Sequence, residues 1–197
     1  EDEHFYNEAA FSVRGIVRAF VVNLSRGKVL QGGSTITQQL AKNAFLSSDQ
    51  TLSRKIKEFI LAIQLDRHYG KDQILEAYLN EIPYGPTMYG IEAASKAYFN
   101  KSSRALTLSE SAIIAALPKA PSYYSPWGSH TAELFERGRL IMRKMRALQK
   151  ITEEEYQKAL KEKIAFAKET RTFSAPHFVI AVQEYLVKRY GEDVVRS

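Results

Sequence analysis

The sequence predicts a mainly α-helical protein, and three observations carry this prediction. Apolar residues recur at helical spacing along most of the chain, capping-box patterns open two of the apolar segments, and no segment shows the clear alternation of a half-buried strand. With 45% apolar and 25% charged residues among its 197, the chain can bury one sizeable core. We therefore expect one globular domain spanning residues 1–197.

The first half of the chain contains two clear helix predictions and one break. Residues 51–69 carry apolar side chains at helical spacing, among them Ile56 and Ile60, and end at a glycine. A second helix is expected directly after it, over residues 72–79. Residues 81–90 are rich in proline and glycine, which favour turns and interrupt regular structure.

The second half of the chain contains four predicted helices. A capping-box pattern at residues 107–110 opens an apolar helix that must end before Pro118. The same pattern at residues 152–155 opens a later helix. Residues 131–148 combine basic side chains with one apolar stripe, as a surface helix does, and residues 175–190 form the last predicted helix.

Charge and composition exclude several classes of protein. The formal charge of +6 should attract anions such as phosphates, anionic lipid or nucleic acid. The absence of cysteine excludes disulfides, thiolate zinc sites and a cysteine nucleophile, and the four histidines lack metal-ligand spacing. No apolar run approaches the ~20 residues that cross a bilayer. Because the chain starts at Glu1 without a signal-like segment, we expect an excised piece whose membrane anchor lies upstream.

The most informative segment is residues 32–43, where a glycine pair and a run of hydroxyls open a polar helix. Thr35, Gln39 and Lys42 are spaced so that one helical face presents a hydroxyl, an amide and an ammonium group to a common ligand. Free backbone N–H groups at the helix start add positive potential, and glycines permit close approach. The segment suits a phosphate or pyrophosphate. An exposed polar helix start is the alternative interpretation.

A second charged group follows at Arg54, Lys55 and Glu58. Arg54 precedes Glu58 by one turn, which is the weaker order for a purely structural ion pair. A solvated ion pair remains one interpretation. The other is that Arg54 holds a phosphate bidentately while Glu58 binds a metal or orients a neighbouring group.

Five segments, taken in order, resemble the motifs of the peptidoglycan glycosyltransferase family. That family comprises the glycosyltransferase domains of class A penicillin-binding proteins and the monofunctional transglycosylases. The matching positions, from the first motif to the fifth, are Glu1, Asp2 and Phe5; residues 32–43; Arg54, Lys55 and Glu58; residues 71–80; and residues 108–118. The chain departs from the first motif at Glu8 and Ala10, where the family usually has histidine and glycine.

The resemblance implies a lysozyme-like helical fold with a membrane-facing segment. It implies an enzyme that polymerises lipid II, the lipid-linked disaccharide-peptide, into glycan strands by inverting glycosyl transfer with release of undecaprenyl pyrophosphate. Glu1 and Glu58 are the expected catalytic residues, and Glu1 is the expected general base for the attacking sugar hydroxyl. The expected substrate-binding residues are Asp2, Phe5, Ser34, Thr35, Gln39, Lys42, Asn43, Arg54 and Lys55.

The resemblance also implies cofactors, partners and a location. Glu58 is expected to bind a divalent cation, Mg or Mn, or to fix Arg54 and Lys55, and no organic cofactor is expected. The expected partners are lipid II, the growing glycan strand, the membrane surface, a phosphoglycolipid inhibitor of the moenomycin type and other cell-wall synthesis proteins, without nucleic acid. The expected location is the outer, periplasmic face of the bacterial cytoplasmic membrane.

Two other functions remain open. A lysozyme-like muramidase or lytic transglycosylase would share the helical fold and a catalytic glutamate, but a hydrolase has no use for the pyrophosphate-binding cations Lys42 and Arg54. A catalytically silent scaffold is the non-enzymatic alternative, and Glu8 and Ala10 are the residues that favour it.

Residues 13–24 are the candidate for the membrane-facing segment. They are mostly apolar and are flanked or interrupted by basic residues. A dozen residues cannot span a bilayer, but such a segment can lie in the interface and bring the active site to a substrate whose polyprenyl tail stays in lipid. Periodicity alone favours burial in the core, and the resemblance favours the membrane.

We expect replacement of Phe20 and Val21 by serine to reduce partition onto anionic vesicles and to slow the use of lipid-linked substrate. The reason is that each methylene removed from lipid costs ~0.8 kcal/mol. Sedimentation with vesicles measures the effect, and a short-chain, water-soluble donor serves as the control because it should be affected less. Unchanged binding and activity would show that these side chains are not anchors, and an unfolded variant would place them in the core.

Overall fold

A computed structural model describes residues 1–3, 5–6, 34–46, 51–169, 182 and 184–189. This part of the chain is mainly α-helical, as predicted, with seven bounded α-helices and one short two-stranded sheet. The elements are α1 Ile36–Phe45, α2 Leu52–His68, α3 Lys71–Glu81, β1 Pro83–Gly85, β2 Met88–Tyr89, α4 Ile91–Phe99, α5 Leu108–Ala116, α6 Thr131–Ala147 and α7 Glu153–Lys161, with 3₁₀ turns at Ser103–Ala105 and Leu117–Lys119.

The chain divides into two compact units, Glu1–Ala167 and Lys168–Ser197. All the bounded elements belong to the first unit. In the second, residues 182 and 184–189 are helical, within the helix predicted over residues 175–190. The prediction of one domain over residues 1–197 stays a prediction. None of the helices within the described ranges is long and apolar enough to cross a membrane.

Helices α1, α2 and α3 pack around the first part of the core, which includes Leu40, Ile74 and Tyr78. Helix α2 begins after Thr51, whose hydroxyl accepts the N–H of Arg54 at 3.1 Å. The helix predicted over residues 51–69 is confirmed, since the observed helix, Leu52–His68, is one residue shorter at each end. Apolar spacing identified the helix but did not define its buried face.

The apolar positions that predicted α2 include two that face away from the core. Ile56 is 50% exposed and Ile60 is 49% exposed, whereas Glu58 is buried. The buried carboxylate of Glu58 is paired with Lys55 on the same helix, as described below. Residues 13–24, the candidate membrane segment, lie outside the described residues, as do Glu8, Ala10 and the glycine pair at 32–33.

The proline- and glycine-rich segment between α3 and α4 forms a small antiparallel hairpin, β1 with β2, which the sequence did not predict. Strands of three and two residues are too short to show alternation. Gly90 closes the segment with φ of +84°, and a Cβ there would lie 2.9 Å from the carbonyl oxygen of Asn80. Only glycine suits that position.

Helices α5, α6 and α7 form the rest of the first unit. Both predicted capping boxes are present, at Thr107 with Glu110 and at Thr152 with Glu155. Helix α5 ends at Ala116, directly before Leu117 and Pro118, as the proline predicted. Helices α5 and α6 approach closely at Gly138, where a Cβ would lie 2.9 Å from the Cδ1 atom of Ile113.

Glu110 connects the cap of α5 to a lysine outside the helix. Its side chain is nearly buried, with Oε2 accepting the N–H of Thr107 at 2.9 Å and Oε1 accepting from Lys101 Nζ at 2.6 Å. Burial opposes ionisation, but the hydrogen bonds from Lys101 and Thr107 outweigh it and lower the pKa of Glu110. The ionised carboxylate therefore stabilises the folded state.

Replacing Glu110 by glutamine should lower the free energy of unfolding near neutral pH by about 1 to 2 kcal/mol, because the charge-assisted bond to Lys101 is lost. The folded pKa of Glu110 is lowered, so its stabilisation is full above the ordinary carboxyl pKa and disappears as pH falls through the lowered value. Urea unfolding across the acidic range measures this. Glu154→Gln, at an exposed position, is the control. A wild-type advantage that does not shrink with falling pH would contradict the assignment.

Candidate active site

The first residues of the chain meet the start of α1. Asp2 Oδ2 accepts the N–H of Ile36 at 3.3 Å, so a carboxylate lies at the positive end of the helix. Thr35 is the N-cap, and it forms a capping box in which its hydroxyl accepts the N–H of Gln38 at 3.3 Å. The hydroxyl of Thr35 thus satisfies a backbone donor that otherwise has no intrahelical partner. The expected contact of Thr35 with a ligand, on one face with Gln39 and Lys42, stays a prediction.

Glu1 is held by two side chains from different helices. Its Oε2 accepts from Nε2 of Gln39 on α1 at 3.5 Å, and its Oε1 accepts from Nη2 of Arg137 on α6 at 3.3 Å. The side chains of Glu1 and Arg137 are each 24% exposed. The carboxylate is therefore partly desolvated and oriented, yet accessible from solvent, which is what a general base for an incoming hydroxyl requires.

The side-chain amide of Gln39 connects Glu1 to its surroundings. Nε2 also donates to the backbone oxygen of Ser34 at 3.3 Å, and Oε1 accepts from the hydroxyl of Tyr78 at 3.2 Å. Burial, followed by the negative charges of Glu1 and Asp2, raises the pKa of Tyr78. Tyr78 therefore stays a neutral hydrogen-bond donor and fixes which end of the amide points toward Glu1.

The residues of the third motif form a cationic group next to the same helix start. Lys55 Nζ donates to Ser34 Oγ at 2.8 Å and also to Oε1 of Glu58. Glu58 is 2% exposed, and neither its Oε2 nor the buried Nε of Arg54 has a hydrogen-bond partner within the part of the chain that the structure describes. Polar atoms buried without a hydrogen-bond partner are costly, so each of them needs a structural or functional explanation.

Two other predicted ligand residues lie further along α1. Lys42 and Asn43 are exposed in the second half of the helix, and the Lys42 ammonium group forms no hydrogen bond or ion pair with another described residue. The structure thus brings together two groups, Glu1 and Asp2 with Gln39, and Ser34 with Lys55 and Glu58. Lys42 and Asn43 make no described side-chain hydrogen bond to either group, and their expected contacts with substrate stay predictions.

Phe5 occupies the core instead of an open site. It is 5% exposed, packs edge-on against Tyr6, and lies under the ammonium group of Lys71, which is 4.8 Å from the ring centroid. Lys71 is in turn paired with Asp66 at 3.1 Å. Phe5 therefore anchors the first motif to α2 and α3, and its expected contact with substrate stays a prediction.

The described residues do not form a preformed site for a divalent cation. They contain no group of three or more acidic or histidine side chains arranged to hold a metal ion. One oxygen of Glu58 is bound by the Lys55 ammonium group, whereas Mg²⁺ needs several oxygen ligands at short distance. The expected metal role of Glu58 stays a prediction, and its described role is to hold Lys55.

Sequence analysis missed Arg137, which contacts Glu1. Arg137 donates from Nε to the backbone oxygen of Ala116 at 3.2 Å, and its guanidinium lies 5.9 Å from the ring centroid of Tyr124. In the sequence, Arg137 is one of several basic residues on a helix with an apolar stripe. Nothing in that pattern distinguishes it from its neighbours.

Comparison with known proteins identifies the family. A family model described as transglycosylase matches residues 1–146, which include every predicted site residue and Arg137. The chain belongs to the transglycosylase family. The match confirms the predicted family and the enzyme class, a peptidoglycan glycosyltransferase.

Similar proteins are penicillin-binding proteins. Penicillin-binding protein 1A of Aquifex aeolicus is 43% identical over 192 residues, which are 98% of this chain and 26% of the relative. Penicillin-binding protein 1F of Bacillus subtilis is 52% identical over 126 residues, which are 64% of this chain and 18% of the relative. The chain spans about a quarter or less of the length of these curated relatives.

A solved structure shares the fold of this transglycosylase domain. The crystal structure of penicillin-binding protein 1A from Haemophilus influenzae covers 81% of the chain with a TM-score of 0.50 and 35% sequence identity, over 20% of its own length. With the mainly helical architecture described above, this match supports the predicted lysozyme-like fold of the family.

We expect Lys42→Ala and Arg54→Ala each to weaken binding of a moenomycin-type phosphoglycolipid roughly tenfold to a hundredfold, the effect of losing a charge-assisted hydrogen bond of ~1.5 to 3 kcal/mol. Isothermal titration with the folded variants is the measurement. Lys158→Ala, an exposed lysine on α7, removes the same charge away from the site and should change nothing. If both site variants bind as tightly as this control, the phosphate site lies elsewhere.

Proposed function

We propose that this domain uses lipid II as its substrate and releases undecaprenyl pyrophosphate as it extends the glycan strand. The observation that carries the proposal is a continuous chain of hydrogen bonds. Gln39 Nε2 donates both to the Glu1 carboxylate and to the backbone oxygen of Ser34. Lys55 Nζ donates both to the hydroxyl of the same serine and to Glu58. The proposed base, Glu1, and the proposed phosphate-binding cation, Lys55, are thus both hydrogen-bonded to residues around the start of α1.

The base acts on the acceptor. A sugar hydroxyl is a weak nucleophile, and it attacks the anomeric carbon of the donor as its proton passes to the Glu1 carboxylate. The new bond forms on the face opposite the departing pyrophosphate, so the configuration at that carbon is inverted. Arg137 and Gln39 occupy one oxygen each of Glu1, and the bond from Gln39, at 3.5 Å, is the longer. Oε2 is therefore the freer oxygen to accept the proton.

The cations act on the leaving group. As the bond from the anomeric carbon to the pyrophosphate oxygen breaks, negative charge grows on that oxygen, and preorganised donors stabilise it. We assign this task to the guanidinium of Arg54, whose Nε has no hydrogen-bond partner among the described residues. Lys55 is fixed by Ser34 and Glu58, and Lys42 supplies a further exposed charge on α1.

The cationic group argues against glycan cleavage. A muramidase or lytic transglycosylase needs an acid and a carboxylate around a neutral glycosidic bond, with no anionic leaving group to stabilise. The grouping of Arg54, Lys55 and Ser34 favours a pyrophosphate donor. A silent scaffold has no need for the oriented carboxylate of Glu1.

The proposed substrate also sets the location. A donor with a long polyprenyl tail stays in lipid, because extraction costs ~0.8 kcal/mol per methylene. The active site must therefore work at the membrane surface, at the outer face of the cytoplasmic membrane where peptidoglycan is assembled. At this location, the domain would meet the growing glycan strand and other cell-wall synthesis proteins, which are its proposed partners.

Glu1→Gln should reduce polymerisation of labelled lipid II by roughly 10²- to 10⁴-fold, since the amide keeps the shape but cannot take a proton. Glu3→Gln, the same change at an exposed neighbour, should leave polymerisation nearly intact. Gel sizing of the products measures both. Near-normal turnover by Glu1→Gln would remove Glu1 as the base. If the wild-type domain shortens glycan strands instead of extending them, the result favours a muramidase. If it neither extends nor shortens them, the result favours a scaffold.

A further inference from the structure

Arg137 is fixed by groups from three different parts of the first unit. Its Nη2 donates to Glu1 at 3.3 Å, its Nε donates to the backbone oxygen of Ala116 at 3.2 Å, and its guanidinium lies over Tyr124. Ala116 is the last residue of α5, and Tyr124 follows in the next loop. The planar fork of arginine matches this arrangement because its donors are rigidly placed relative to one another.

The position of Ala116 explains why a cation lies there. The last carbonyl groups of a helix lack intrahelical partners and carry partial negative charge. The carbonyl group of Ala116 is one of these, and it accepts from Nε of Arg137. The guanidinium of Arg137 therefore satisfies a helix end as well as the Glu1 carboxylate, and it cannot move away from Glu1 without losing the Ala116 bond.

The neighbouring arginine on the same helix shows a different environment. Arg139 is 54% exposed and pairs with Glu136 within α6, as a solvated surface residue does. Arg137 is 24% exposed and pairs across 136 positions of sequence. Of the two, only Arg137 connects α6 to Glu1, and Arg139 supplies a matched control.

We propose that Arg137 is the positioning residue for the general base: it holds Glu1 Oε1 so that Oε2 faces the acceptor hydroxyl. This inference rests on the proposed function of Glu1. It also gives the fifth motif a task, because the carboxyl end of α5 fixes the arginine that fixes the base. Arg137 acts through Glu1 and does not bind the donor pyrophosphate.

The test separates the turnover number from substrate binding. In Arg137→Ala, kcat for lipid II polymerisation should fall about tenfold to a hundredfold, while KM and the affinity for a moenomycin-type phosphoglycolipid stay within about twofold of wild type. Arg137→Lys keeps the charge but cannot reach Glu1 and Ala116 together, so it should recover only part of kcat. Arg139→Ala should behave as wild type.

A double variant ties the effect to the base. Adding Arg137→Ala to Glu1→Gln should cause no further loss of residual activity, because the arginine then has no carboxylate to position. A further loss would overturn the proposal, as would a fall in phosphoglycolipid affinity or an unchanged kcat in the single variant. If Arg137→Ala does not fold, Arg137→Lys carries the test; if neither folds, the arginine is structural and the proposal fails.

The failure of the proposed function gives a different result. It would appear as normal turnover in Glu1→Gln, whatever the behaviour of Arg137→Ala. An inactive Glu1→Gln combined with a fully active Arg137→Ala would overturn only the positioning role.

Discussion

The side-chain amide of Gln39 is the interaction on which the rest of the site depends. Its nitrogen donates to Glu1 and to the backbone of Ser34, and its oxygen accepts from Tyr78. An amide whose donors and acceptor are all used cannot rotate without losing hydrogen bonds. The orientation of this amide, together with the bond from Arg137 to Glu1, therefore sets where the base lies relative to Lys55, which donates to Ser34. Tyr78 belongs to α3, so the packing of α3 against α1 is part of the same constraint.

Charges in the site are arranged in opposed pairs around α1. Asp2 lies at the positive end of the helix, and Glu58 faces inward, where Lys55 neutralises it. A buried carboxylate next to a phosphate site repels the ligand unless a cation outweighs it. The fixed lysine, with the adjoining arginine, gives the group an excess of positive charge. The net charge of +6 extends this preference for anions to the whole chain.

Local chemistry made much of the fold predictable. Helix starts at Thr107 and Thr152 followed from side chains that satisfy backbone donors within three residues, and the stop before Pro118 followed from the missing N–H. The inward face of α2 and the contact of Arg137 with Glu1 did not follow. Both depend on partners distant in sequence, and a helical pattern contains no information about which distant group a side chain meets. The expected catalytic and substrate-binding roles of the site residues stay predictions.

Two of the three buried side-chain atoms that lack a hydrogen-bond partner among the described residues are Glu58 Oε2 and Arg54 Nε, and they have a consequence for the evolution of the domain. Each raises the free energy of the folded state relative to a version in which apolar side chains fill the same space. Selection for thermal robustness alone would favour such replacements. A transglycosylase domain that keeps both residues is therefore less stable than its packing allows, and variants selected only for heat resistance should drift toward inactive enzymes at these two positions first.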